Sequence, residues 1–298
     1  MLDPAQLAAL SAVHRRGAFD LAAADLHVTP SAISQRIRAL EEAAGTLLIT
    51  RGQPCRATPA GLRLIRHHDE IVLMERQLAT DLPGLLPGQS FGRTPLRLAV
   101  NADSLATWVL PALAAAGEGL LFDLVIDDQD VSQDWLKRGE VVGAITSHPG
   151  PLQGCETLAL GALRYRATAS PAFVARWFAG GITAAALADA PALVFSDHDR
   201  LQDRWLSRQT GASGRPAFPF HRLASSHGFV EACRLGLGWA MNPEAMVAAD
   251  LARGDLVELV ADSALDVPLF WQFPRAVTTA LAPLTGALRK AAAQALVR

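Results

Sequence analysis

The segment TPSAISQRIRALE, Thr29 to Glu41, decides how the chain begins to fold. Thr29 is an N-cap residue type and Pro30 suits the first helical position, so a helix starts sharply there. At about 100° per residue, Ile33, Ile37 and Leu40 share one side of that helix. Ser31, Ser34, Gln35 and Arg38 share the other. Taken alone, the polar side has two readings: a solvated surface, or a face that reads DNA. The chain as a whole carries a formal net charge of −2, so a nucleic-acid role has to come from local arrangement.

Working outward, two helices precede this one. The first has Asp3 as cap, with Leu7, Leu10 and Val13 on one face. The second is short, about Asp20 to His27, with Leu21, Ala22 and Leu26. Three such helices with a brief His27-Val28-Thr29 turn match a helix-turn-helix, whose last helix puts its exposed side in the major groove. Gln35 can pair with an adenine edge, Arg38 with guanine or phosphate, and Ser31 and Ser34 with either. Pro30 and Ser31 lie at the helix N-terminus, where backbone N–H groups favour a phosphate. The following LLITRGQPCRATPAG (47–61) reads as a short β-wing carrying Arg51 and Arg56. Basic charge is thus concentrated in this part of an acidic chain.

The 298 residues are half apolar and 19% charged, ordinary for a globular protein of two or three domains. No apolar run approaches the roughly 20 residues that span a bilayer, and the first residues lack the pattern of a signal peptide. A cytoplasmic protein without a membrane partner is expected. Cys55, Cys155 and Cys233 are far apart and form no CxxC pair, so neither a disulfide framework nor a zinc site is expected.

Thr58-Pro59 starts a further helix to about Ala79, with Leu62, Ile65, Ile71, Val72, Leu73 and Leu78 as a broad apolar stripe. Its length suits a linker or dimer-forming helix. DLPGLLPGQSFGRTP (81–95) is rich in Gly and Pro and reads as a hinge. Beyond it, strands alternate with helices: 96–101, 122–128, 141–146, 163–170, 191–196, 238–243 and 256–260 read as strands, which argues for α/β units with parallel sheets.

Polar groups follow several of those strands. Asn101, Asp103 and Ser104 open one helix, Thr146 and Ser147 follow another strand, and Ser225 and Ser226 open a third helix. In open α/β sheets ligands bind beyond the carboxyl ends of strands, where helix N–H groups suit a carboxylate. Asp103 with Asp127, Asp128 and Asp130 could receive a cation. The plain alternatives are serine caps and a solvated acidic run.

The stretch GAFDLAAADLHVTPSAISQRIRALEEAAGTLLITR…TPAG resembles the N-terminal signature of LysR-type transcriptional regulators. The matching residues are Gly17, Phe19, Ala22, Ala23, Leu26, Ser31 to Ser34, Ile37, Leu40, Glu41, Gly45, Leu48, Arg51, Thr58 and Gly61. The wing is a departure: its GQPCRAT run (52–58) matches no DNA contact of the family, which leaves Arg51 as the wing's contact. Within the family, 98–113, 138–145 and 225–236 resemble the ArgP/LysG group, which senses basic amino acids and controls their export.

The resemblance implies an α/β chain with a winged helix-turn-helix at 1–58 and a linker and hinge at 59–90. It also implies a periplasmic-binding-protein-like effector domain at 91–298, divided into 91–162 with 269–298 and 163–268. It further implies DNA contacts from Pro30, Ser31, Ser34, Gln35, Arg38 and Arg51. Effector contacts fall on Ser104, Asp103, Asp128, Ser147 and Ser226, with Trp108 and Trp271 as candidate walls. The ligand would be L-lysine or L-arginine with no resident cofactor. The partners would be promoter DNA, a second copy or three further copies of the chain, and RNA polymerase.

Catalytic signatures are missing: no GxSxG, P-loop or HExxH run occurs, and GLGW (236–239) lacks the third glycine of a dinucleotide fingerprint. His67 and His68 point about 100° apart on a helix and are poorly placed for joint metal ligation. The competing class is a small-molecule binder or enzyme with a vestigial head.

Overall fold

In the computed structural model, which describes residues 2–82, 94–117, 120–128, 132–150, 152–211 and 218–298, Asp3 caps the first helix. Its carboxylate accepts from Ala5 N at 2.7 Å, and α1 runs Pro4–Arg16. Helix α2 covers Phe19–Asp25 and ends two residues earlier than expected, because His27 turns into the left-handed region at φ 54°. Helix α3, Pro30–Ala44, begins where Thr29 Oγ1 accepts from Ala32 N at 3.2 Å. Ile33, Ile37 and Leu40 are buried against Leu7, Leu10, Val13 and Ala22. Each such side chain contributes about 1.5–3 kcal/mol by leaving water. The wing is a two-residue antiparallel pair, β1 Ile49–Thr50 with β2 Arg56–Ala57. Glu41 ties it to α3 by accepting from Leu48 N at 2.8 Å and Ile49 N at 3.2 Å.

Helix α4, Pro59–Asp81, starts where Thr58 Oγ1 accepts from Gly61 N at 3.2 Å. Only glycine fits at Gly61, since an added Cβ would collide with the Leu48 carbonyl oxygen. The expected hinge at 81–95 lies outside the described residues over 83–93.

Strand β3, Thr94–Asn101, pairs in parallel with β4, Leu120–Asp127, over its full length, so that Asn101 and Asp127 end side by side. Between them lie α5 Ala102–Ser104, a π turn Leu105–Val109 and α6 Leu110–Ala115. Helix α7, Ser132–Arg138, leads into β5, Gly143–Thr146, which is also parallel to β3.

The rest of the large sheet departs from the expected parallel pattern. Strand β6, Cys155–Ala169, and β11, Leu265–Pro274, run antiparallel to each other, and β9, Ala240–Pro243, and β10, Val257–Glu258, pair antiparallel with β6. Strands β6 and β11 are long return strands rather than halves of strand–helix–strand units. The order is β10-β6-β11-β5-β3-β4. A separate parallel pair joins β7, Ala192–Val194, to β8, Phe220–Arg222.

The remaining helices pack on these strands: α8 Pro171–Trp177, α9 Ala184–Asp189, α10 Leu201–Thr210, α11 Ser226–Arg234, α12 Glu244–Arg253 and α13 Ala282–Ala295. Trp108, Trp205, Trp239 and Trp271 are among the largest fully buried side chains.

Candidate functional site

Two surfaces carry the polar residues singled out in the sequence. The first is the outer side of α3. Pro30, Ser31, Gln35 and Arg38 are exposed and Ser34 is half-buried, opposite the buried Ile33, Ile37 and Leu40. The Ser31 hydroxyl lies 2.9 Å from Thr29 Oγ1. Arg51, exposed at the end of β1, holds its guanidinium 5.6 Å from the centre of the Phe19 ring, which fixes the wing's base against α2. The cysteine of the wing, Cys55, is buried, as are Cys155 and Cys233.

The second surface is a cleft at the carboxyl ends of β3 and β4. From that side come Asn101, Asp103, Asp127 and Asp128. Opposite them stand Phe195 after β7, Asp199 and Leu201 at the start of α10, and Ser226 and Phe229 of α11. Met241, Asn242 and Pro243 of β9 complete the wall. No Arg, Lys or His is among the described residues lining it.

Each carboxylate has a distinct setting. Asp103 accepts a hydrogen bond from the Tyr165 hydroxyl at 2.8 Å. Burial pushes the Asp103 carboxyl above the ordinary aspartate range, the Tyr165 hydroxyl pulls it back, and the Asp128 charge adds to the rise. Burial, then the Asp103 charge, holds the Tyr165 phenol well above its ordinary value, so it remains a neutral donor. Asp199 accepts from Phe195 N at 2.9 Å and Leu201 N at 3.0 Å. Burial still raises its affinity for a proton, and the Asp103 charge contributes. Asp127 is engaged by Asp128 N and by Trp135 Nε1, each at 2.8 Å, so it shapes the turn.

The structure therefore brings Asp103, Asp128 and Ser226 together. Ser104 is fully buried, its hydroxyl has no hydrogen-bond partner among the described residues, and it does not line the cleft. Ser147 is half-buried beyond β5 and also off the cleft wall. Trp108 and Trp271 belong to the hydrophobic core rather than to the cleft, Trp271 donating to Thr285 Oγ1 at 3.1 Å. Asp130 lies outside the described residues. Sequence reasoning missed Tyr165, Asp199 and Asn242. Asp199 had a signal, a polar run straight after an apolar strand. Tyr165, a mid-strand tyrosine, had none.

An acidic, partly dry cleft disfavours its own charge and favours a cation that compensates it. At its edge Ser225 Oγ caps α11 by accepting from Gly228 N at 3.1 Å, and the first turn of that helix presents further N–H groups suited to an anion.

A three-helix head with a wing, joined by a long helix to an α/β domain with a polar cleft, defines a DNA-binding regulator with a small-molecule domain. Residues 4–62 match the bacterial regulatory helix-turn-helix proteins of the lysR family, and residues 90–297 match the LysR substrate binding domain. The chain belongs to the LysR family of transcriptional regulators. It is 44% identical over 292 residues to the HTH-type transcriptional regulator LysG of Mycobacterium bovis, covering 98% of this chain and 94% of that protein. Among solved structures it resembles ArgP from Mycobacterium tuberculosis, with a TM-score of 0.85, 42% identity and coverage of 100% of this chain and 99% of that one. It also resembles full-length LysG from Corynebacterium glutamicum with bound effector Arg, with a TM-score of 0.71, 33% identity and coverage of 99% and 100%. The helix-turn-helix head and the substrate-binding domain make the chain a LysR-type regulator of transcription.

Proposed function

We propose that the protein regulates promoters in response to a basic amino acid, L-arginine or L-lysine, held in the acidic cleft. One observation carries this reading: Asp103, Asp128 and Asp199 face a shared space whose described lining has no basic side chain. The effector Arg of the Corynebacterium glutamicum relative supports the same choice. Asp103 and Asp128 meet the ligand's side-chain cation, while Ser226 and the N–H groups of α11 receive its carboxylate. Ser104 and Ser147 contact it only indirectly.

At the other end, Ser31, Ser34, Gln35 and Arg38 face the major groove, with Pro30 at the helix start and Arg51 toward the backbone. The working division is a head at 1–58, a linker at 59–90 and an effector domain at 91–298. Helix α4 leaves Met74 43% and Leu78 50% exposed, apolar surface suited to a homodimer or homotetramer. Effector that prefers one arrangement of the cleft shifts the assembly between states with different half-site spacing. Amino-acid export genes are the natural targets, RNA polymerase the further partner and the cytoplasm the compartment. No helix among the described residues is long and apolar enough to cross a membrane.

A thermal-shift and calorimetric screen of the twenty amino acids on the full chain tests the effector. Arginine or lysine should stabilise the protein and the acidic and apolar amino acids should not. Equal shifts for all twenty, or none, would overturn the assignment.

A further inference from the structure

Asn242 is fully buried on β9, on the cleft wall beside Met241 and Pro243. Its Nδ2 donates to Thr168 Oγ1 at 3.0 Å and to Cys233 Sγ at 3.4 Å. The Cys233 thiol in turn donates to the Thr168 carbonyl at 3.7 Å, so its sulfur is left to act as an acceptor. The amide is thus turned with its nitrogen toward this interior pair. Asn242 Oδ1 is the remaining polar atom of that side chain, and it is buried with no hydrogen-bond partner among the described residues. A buried acceptor without a donor is costly to the fold and is retained where something else supplies the donor.

We propose that Asn242 Oδ1 is a direct effector contact, accepting a hydrogen bond from an N–H of the bound cationic amino acid. This rests on the reading of the cleft as a basic amino-acid site and adds to it a recognition element that is not charged. Carboxylates Asp103, Asp128 and Asp199 attract any cation. An acceptor held in one orientation by Thr168 and Cys233 instead requires a nitrogen that carries hydrogen at one place. Quaternary cations of similar size satisfy the charge and fail at Asn242.

The experiment compares Asn242→Leu, Asn242→Ala and Asn242→Asp in the full chain, using calorimetry with L-arginine and L-lysine, thermal melting and promoter retardation. Asn242→Leu and Asn242→Ala remove the acceptor and should weaken binding about tenfold or more. The alanine variant adds no bulk and keeps the test open should the leucine variant fold poorly. Asn242→Asp keeps an acceptor oxygen but loses the Nδ2 donor, so it should retain binding of the cations within a few-fold. DNA retention without effector should be unchanged in all three. If the wild type binds arginine or lysine and Asn242→Ala binds within twofold of it, the proposal is overturned. Equal loss in Asn242→Asp and Asn242→Ala also overturns it, since that marks a purely structural role for Nδ2. A wild type that binds neither cation overturns the reading of the cleft and this contact with it.

Discussion

Ile65 and Leu73, about two turns apart on α4, are buried in different cores: Ile65 among the side chains of the DNA-binding head, Leu73 among those of the effector domain. One continuous helix is thus anchored in both cores, and the Arg15–Asp69 ion pair between α1 and α4 lies between the anchors. Truncating either residue should cost about 2–5 kcal/mol, the range for emptying a buried aliphatic site. The location of the loss should differ. Amide hydrogen exchange should show Ile65→Ala loosening α1 and α3, and Leu73→Ala loosening β3 and β5. Identical exchange patterns in the two variants would contradict separate anchoring.

Asp103 and Asp199 set a pH dependence of known sign. Burial raises both carboxyl pKa values above the unfolded value, so the folded chain holds protons that the unfolded chain releases. Their contribution to stability is present at low pH and is lost as pH rises through the ordinary aspartate range toward the folded pKa. A cation in the cleft favours the ionised forms. Arginine should therefore raise the melting temperature more above the folded pKa values than below them, and its binding should release protons as pH falls toward them. Calorimetry in two buffers of different ionisation enthalpy reads that release directly; buffer-independent heats would remove these carboxylates from the coupling. Tyr165→Phe deletes the 2.8 Å donor to Asp103 and should move the acid limb of binding to higher pH.

Much of the head was legible because its signals are local. Thr29, Pro30, Thr58 and Pro59 mark helix starts through capping chemistry, and the 3.6-residue spacing of Ile33, Ile37 and Leu40 marks the buried side. Strand β11 was not legible: Pro268 interrupts a run that otherwise alternates, and proline argues against a central strand. There it pairs with Ala162, close to the register shift between Leu269 and Phe270. The cleft was half legible. Asp103, Asp128 and Ser226 announce themselves at strand ends or helix starts, whereas Tyr165 meets Asp103 across 62 residues of chain by virtue of an antiparallel return that periodicity does not encode. Ser104 and Ser147 carried the same local signal as Ser226, and only packing separates them.

Asp250 should behave in the opposite sense to Asp103. Its carboxylate is buried, yet it accepts from Arg234 Nε at 2.9 Å and Nη2 at 2.8 Å and from Arg253 at 2.7 Å. The Arg234 hydrogen bonds hold its pKa below the ordinary range, against burial. That stabilisation is present above the unfolded pKa and is lost as pH falls through the folded one. Asp250→Asn should destabilise by about 1–3 kcal/mol in urea melts at pH 7, with the gap to wild type closing in acid. A gap that is constant with pH would show that packing, not the ion pairs, is what the substitution disturbs.

Gln35 and Arg38 separate base reading from backbone holding. Both are exposed on the side of α3 away from Ile33, Ile37 and Leu40, so replacing either leaves the head's core intact. An arginine seated bidentate on guanine contributes about 1–3 kcal/mol of discrimination, whereas losing one from phosphate weakens binding to all sequences alike and lowers the salt slope by about one. Retardation of promoter and scrambled DNA across a salt series distinguishes the two for each residue. Gln35→Ala should bring promoter affinity closer to that of scrambled DNA while leaving the salt slope unchanged, because it removes a base contact and no charge. Arg38→Ala should lower both affinity and slope, and it should also narrow the promoter preference where the arginine reaches a guanine. Equal losses on both DNAs from Gln35→Ala would place Gln35 on the backbone and leave sequence reading to Ser31, Ser34 and Arg38.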